Sequence, residues 1–158
     1  MIELKKITDD NAGELLGLKV ADDQEDFVGS NLDSLATAYI CITNGGHATT
    51  YAVYADNVMV GFIMYGFLTM DYDDTYGEDC YYLWRFMIDK NHQGKGYGKQ
   101  AIIKVLDEIH QMPNGKADYC YTQYEPENIV VKKMYESLGF TETGEVDDGE
   151  LIMRLMLR

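Results

Sequence analysis

Basic residues are scarce in this chain of 158 residues, where 13 Lys and Arg stand against 27 Asp and Glu for a formal charge of −14. Such an excess repels polyanions, which excludes nucleic acid as a partner, and it draws cations inward over the Debye length. An acidic surface also keeps a protein in solution, so a cationic substrate is the sharper of two readings. Only 3 cysteines occur, Cys41, Cys80 and Cys120, far apart and without a C-x-x-C pair, and the 3 histidines, His47, His92 and His110, are scattered. Neither a disulfide framework nor a metal centre is expected from them. No apolar run approaches the length of a bilayer span, and Met1-Ile2-Glu3-Leu4-Lys5 lacks the charged start and apolar middle of a signal peptide. A soluble, cytoplasmic protein without membrane attachment is the expectation. With 2 prolines, no low-complexity run, no repeat and no linker, residues 1–158 read as one domain.

What is abundant is material for a core: 46% hydrophobic and 12% aromatic residues. Ile2, Leu4 and Ile7 predict a first strand, and Thr8-Asp9-Asp10-Asn11 offers capping residues ahead of a helix with Leu15, Leu16 and Leu18. After the acidic stretch Asp22–Asp26, a second helix is predicted over 31–42, with Leu32, Leu35, Ala36 and Tyr39 as its apolar stripe. Tyr51 to Ala55 and Val58 to Leu68 read as strands joined by the two-residue turn Asp56-Asn57. The polar segment 70–79 reads as a loop, and Tyr81 to Ile88 as a buried strand. Ile102, Val105, Leu106 and Ile109 then recur at i, i+3, i+4 and i+7, one face of a helix. A strand over 117–124, a helix entered through Glu125-Pro126-Glu127-Asn128 with Val131, Met134, Tyr135 and Leu138 as its stripe, a glycine cap at Gly139 and a hairpin around Asp147-Asp148-Gly149 complete a mixed α/β order.

Between the strand ending at Ile88 and the helix of Ile102 lies Gln93-Gly94-Lys95-Gly96-Tyr97-Gly98-Lys99. Glycines let backbone N–H groups converge on an anion, and the helix N-terminus adds partial positive charge, so a pyrophosphate is the expected ligand. A Walker A loop fails, because Gly98-Lys99 is followed by Gln100. Gly96-x-Gly98-x-x-Ala101 satisfies a dinucleotide fingerprint, but that motif belongs after the first strand of a repeated βαβ array.

The chain resembles the Gcn5-related N-acetyltransferase family over nearly its full length. The cofactor signature Gln/Arg-x-x-Gly-x-Gly/Ala appears as Gln93-Gly94-Lys95-Gly96-Tyr97-Gly98, and a second pattern as Asn128, Tyr135 and Gly139-Phe140. The resemblance implies an α+β fold with a mixed, mostly antiparallel central sheet flanked by helices. It implies that acetyl-CoA is the co-substrate, with Gln93 to Lys99 holding its pyrophosphate and the backbone of Phe86, Met87 and Ile88 along the pantetheine arm. Asn128 would face the same arm, and Tyr135 would be the general acid for the leaving sulfur; a helix cap and a core aromatic are the bland alternatives for these two. Segments 24–42, 61–66, 85–89 and 93–99 look most like bacterial spermine/spermidine acetyltransferases. A small cationic amine is therefore the implied acceptor, with Glu25, Asp26, Asp71 and Asp73 along its groove beside Tyr82 and Trp84. Several polyamine acetyltransferases carry a carboxylate where this chain has Trp84, which leaves the general base open between a water relay to Glu25, Asp79 or Tyr82. Other acceptors in view are an amino acid, an aminoglycoside-like drug or a protein N-terminus, and a non-catalytic sensor is the reading from another class. Family members are often homodimers, which makes a homodimer an expectation here.

Overall fold

The computed structural model describes residues 1–158. Its elements are β1 (Ile2–Lys5), α1 (Ala12–Gly17), α2 (Asn31–Thr43), β2 (His47–Ala55), β3 (Val58–Leu68), β4 (Cys80–Ile88), α3 (Tyr97–Ile109), β5 (Tyr119–Tyr124), α4 (Ile129–Ser137), β6 (Thr141–Asp147) and β7 (Glu150–Met156). A short 3-10 helix, Asp22–Phe27, takes up the acidic stretch between α1 and α2. The strands form one sheet in the order β1-β2-β3-β4-β5-β7-β6. Only the β4–β5 pair is parallel, so the expected mixed, mostly antiparallel sheet is what forms.

The β2–β3 hairpin turns where Asp56 (φ 48°) and Asn57 (φ 71°) both adopt positive φ, the conformation that matches the twist of the flanking strands. β2 starts at His47, earlier than the apolar run at Tyr51 suggests, because Ala48, Thr49 and Thr50 pair with Gly66, Tyr65 and Met64. Threonine fits a pleated, half-buried surface even without an apolar neighbour. Every residue of β3 from Met59 to Leu68 is buried, since helices cover both faces of the sheet. On one face lie Ala101, Ile102, Val105, Leu106 and Ile109 of α3, all buried as the spacing predicts. On the other, Leu15 and Ala38 pack with Phe62, Met64 and Met87.

The stripe expected on α2 is wrong. Its buried residues are Asn31, Ser34, Ala38 and Cys41, while Leu32 and Tyr39 are 64% and 70% exposed; Ala36 is exposed as well, and Leu35 alone of the predicted four is half-buried. The helix docks through its small residues, and Asn31 can be buried because its amide donates to the Leu15 carbonyl at 2.8 Å.

Two irregularities set β4 apart from the other central strands. Its pairing with β5 is confined to Tyr81 with Cys120, Tyr82 with Tyr121 and Leu83 with Thr122, and the Thr122 hydroxyl donates to the Leu83 carbonyl at 3.1 Å. On the other side Arg85 lies opposite Met64 and Leu83 opposite Tyr65, so Trp84 is an extra, bulged residue. Bulges bend a strand and re-aim its side chains.

Candidate active site

Beyond Leu83 the two parallel strands separate, and a cleft of about 1190 Å³ opens between them. Phe86, Met87 and Ile88 line it. The β5-facing edge of β4 has no strand partner there, which leaves main-chain donors and acceptors for an extended ligand arm.

At one end of the cleft stands the glycine loop. Gly94 and Gly96 have φ of 78° and 79°, left-handed values that favour glycine. Gly98 is required for a different reason: a Cβ there would sit 2.9 Å from the Phe86 ring, so its absence lets α3 start directly against β4. Gly96 occupies the N-cap without a capping side chain, and no acid lies in the first turn. The first N–H groups of α3 therefore remain free for an anion. Gly94, Gly96, Tyr97, Gly98 and Lys99 line the cleft, and Lys95 does not. Gln93 also lines it, but its amide is engaged internally, donating to the Ile88 carbonyl and to Gln24 Oε1, both at 2.9 Å. Its side chain ties the loop to β4 and to the segment before α2.

Along the wall formed by α4, Asn128 is the N-cap, its Oδ1 accepting from Val131 N at 3.3 Å, and it faces the cleft as well. The cap does not take it out of the cleft lining. Tyr135, two helical turns on, packs its ring against Phe140 at 5.5 Å between centroids and lines the cleft. Burial, with Cys120 and Glu150 adding to it and Thr122 opposing, pushes the Tyr135 hydroxyl up to about 12. The phenol thus keeps its proton at any physiological pH.

The remaining lining is acidic and aromatic. Tyr82 and Trp84 have ring centroids 5.8 Å apart, and Trp84 leans on Gly66, where a Cβ would come within 3.1 Å of the indole. Glu25 and Asp26 reach the cleft from the 3-10 helix. Asp71 and Asp73 do not line it. Their loop is spent on itself: Asp73 accepts from Thr75 N at 2.9 Å, Asp79 from Met70 N at 2.8 Å, and Tyr76 stacks on Tyr121 at 4.4 Å. Among the other polar residues that line the cleft are Arg85, Glu125 and Glu150, none of them expected there from the sequence. Burial raises the Glu150 carboxyl above its ordinary value, Glu125 adds to this, and Arg85 opposes it. Nothing local marks Glu150; the order β5-β7-β6 brings it there. No group of three or more His, Cys, Asp or Glu side chains is arranged to hold a metal. Burial lifts the Cys120 thiol to about 12 and raises Cys80 too, so neither is a ready nucleophile.

An open sheet edge, an uncapped helix start and a phenol thus meet at one cleft. The profile of the acetyltransferase (GNAT) family matches residues 15–140. The chain belongs to this family. Two relatives share its length: a probable spermine N(1)-acetyltransferase of Bacillus subtilis subsp. natto (strain BEST195) is 34% identical, and the match covers 96% of both chains. A spermine/spermidine N(1)-acetyltransferase of Bacillus subtilis (strain 168) is 33% identical, again over 96% of each. Among solved structures, the aminoglycoside acetyltransferase AAC(6')-Ib in complex with coenzyme A shares the fold, with TM-score 0.77 and 17% identity over 99% of this chain and 95% of that one. This acetyltransferase is accordingly an acetyl-CoA-dependent enzyme that acylates nitrogen.

Proposed function

We propose that the enzyme transfers the acetyl group of acetyl-CoA to a primary amine of a polyamine such as spermine or spermidine. The observation that carries this reading is the polarity of the cleft, with free helix N–H groups and Lys99 at the glycine loop and carboxylates at Glu25, Asp26, Glu125 and Glu150 elsewhere along its lining. An anionic donor and a polycationic acceptor are each matched by charge. The names of the two bacterial relatives support the same acceptor.

In this reading the backbone of Gly94 to Lys99 receives the pyrophosphate, and the open edge of Phe86, Met87 and Ile88 receives the pantetheine arm in sheet-like hydrogen bonds. Asn128 faces that arm from the start of α4. Lys95, outside the cleft, contributes charge only. The Tyr135 hydroxyl donates to the sulfur as it leaves. Since a phenol near 12 is a weaker acid than a thiol, full transfer to sulfur is drawn forward by the proton that the new amide nitrogen sheds. Tyr82 and Trp84 form an aromatic wall for the alkyl chain and its ammonium groups. Whole-chain action as one catalytic unit over residues 1–158, and a cytoplasmic setting where acetyl-CoA is available, complete the proposal.

The test is release of coenzyme A thiol across a panel of spermine, spermidine, putrescine, an aminoglycoside and a peptide with a free N-terminus. Turnover on spermine or spermidine in clear excess over the rest is expected. Preference for the peptide or the aminoglycoside would overturn the acceptor assignment, and acetyl-CoA binding without thiol release on any amine would make the protein a sensor.

A further inference from the structure

Acetyl transfer to an amine needs a proton sink, because a lysine-like ammonium, with a pKa of about 10.4, arrives at neutral pH without a free lone pair. The carboxylates within reach differ in what they are free to do. Glu25 and Asp26 are exposed on the 3-10 helix. Asp79 lies outside the cleft and is committed to Met70 N. Asp23, Asp33 and Glu127 line the cleft but are exposed. Glu125 and Glu150 are half-buried, line the cleft and are left out of the ion pairs of the chain, and of the two only Glu150 is held in a strand. Gln123, on the strand paired with β7, donates to Tyr76 and Asp147 at 2.7 and 3.0 Å instead.

Glu150 lines the same cleft as the groups that the reaction uses, Tyr135 on α4 and Tyr82 on β4, and its charge raises both phenols. Around it are Glu125 at the end of β5, Asp147 and Asp148 in the hairpin turn, and Arg85 on β4. Three carboxylates and one guanidinium make its surroundings net negative, a setting that welcomes an ammonium. Arg85 is itself unpaired by any ion pair of the chain and lies against Gly29, whose missing Cβ would collide with its guanidinium.

We propose that Glu150 is the general base that takes the proton from the acceptor amine, an inference that rests on the acetyl-transfer reading above. The ammonium N–H proton passes to the Glu150 carboxylate, and the freed lone pair forms the new C–N bond at the thioester carbonyl. The C–S bond breaks, Tyr135 supplies the proton for sulfur, and the second proton of the nitrogen restores Tyr135. Glu150 then releases its proton to solvent through the open cleft. Substrate ammonium and acetyl-CoA become N-acetyl amine, free thiol and one proton. The raised carboxyl of Glu150 suits this task better than an ordinary one, since a more basic carboxylate is the better proton acceptor.

The experiment compares the wild-type enzyme with Glu150→Gln, using spermine and acetyl-CoA over a range of pH. For Glu150→Gln, kcat is expected to fall by about 10²- to 10⁴-fold at neutral pH, with the acid limb set by the Glu150 carboxyl replaced by a rise toward the pKa of the amine itself, about 10.4, as free amine accumulates. Acetyl-CoA affinity should stay near the wild-type value. An unchanged kcat, or a raised KM for spermine with kcat intact, would overturn the proposal by leaving Glu150 as a spectator or an anchor. Should Glu150→Gln fail to fold, Glu150→Asp withdraws the carboxylate by one methylene. It is expected to keep the acid limb with kcat reduced by about tenfold or more, and an equal kcat would overturn the proposal likewise. A wild-type enzyme that releases no thiol with any amine would sink the acetyl-transfer reading itself, an outcome distinct from active wild type with active Glu150→Gln.

Discussion

Tyr135 meets two demands at once, filling the core stripe of α4 and lining the cleft. Tyr135→Phe should retain the packing against Phe140, so the folded state and acetyl-CoA affinity are expected to persist while turnover drops by about 10²-fold. Steady-state kinetics beside calorimetric titration of acetyl-CoA checks this, and full turnover in the variant removes Tyr135 from the mechanism. Glu150 carries a cost to stability with a definite sign. Its folded-state carboxyl lies above the ordinary value, so the folded form binds the proton more tightly, and stability is fullest at low pH and is lost as pH rises through the folded value. Glu150→Gln, which is neutral throughout, is expected to melt above the wild type at neutral pH, with the gap closing as pH falls toward the usual carboxylate range. Thermal unfolding at several pH values reads this, and a destabilised variant at neutral pH would contradict the assigned sign.

At the scale of elements, the junction of β4 with α3 depends on a missing side chain. Gly98→Ala brings a methyl group to 2.9 Å from the Phe86 ring, and one or the other must shift. A loss of about 1–3 kcal/mol in unfolding free energy is expected, together with weaker acetyl-CoA binding as the helix start moves off the loop. Gly13→Ala in α1 is the matched control. Nothing lies within 4 Å of a Cβ at Gly13, so alanine there should stabilise by roughly 0.5–1 kcal/mol. Denaturant unfolding of the two variants side by side decides it. Elements also differ in how well their buried faces can be read along the chain. The period of α3 was legible because Ile102, Val105, Leu106 and Ile109, which recur at helical spacing, are all buried. That of α2 was not, because its buried face is built of Asn31, Ser34, Ala38 and Cys41, residues whose burial follows from close docking and from the bond of Asn31 to Leu15. That Asp71 and Asp73 lie outside the cleft lining was not legible for a related reason: an acidic loop looks like a ligand-binding rim until Asp73 and Asp79 are seen accepting from N–H groups of their own loop.

For the molecule as a whole, a charge of −14 sets up a field in which the two substrates are treated oppositely. Raising ionic strength from about 0.01 M to about 1 M shrinks the Debye length from roughly 30 Å to roughly 3 Å. The KM for spermine should rise several-fold over that range, while the KM for acetyl-CoA, an anion approaching an anionic protein, should fall or hold. Parallel kinetics with each substrate varied in turn separates the two, and a spermine KM indifferent to salt would argue against charge as the basis of acceptor capture.

The family and the donor were legible in the sequence alone, and Asn128 and Tyr135 could be singled out from it, because each signal is carried by residues close along the chain: a glycine loop between one strand and one helix, and a cap with a tyrosine on a single helix face. Local spacing suffices for such features. Long-range pairing decided the rest. The parting of β4 from β5 after Leu83, the bulge at Trp84 and the arrival of Arg85, Glu125 and Glu150 at the cleft all result from how distant strands lie beside one another. A carboxylate on β7 comes to line one cleft with a phenol on α4 only when the sheet is assembled, since burial and facing charges belong to the fold and not to the stretch of chain that carries the residue.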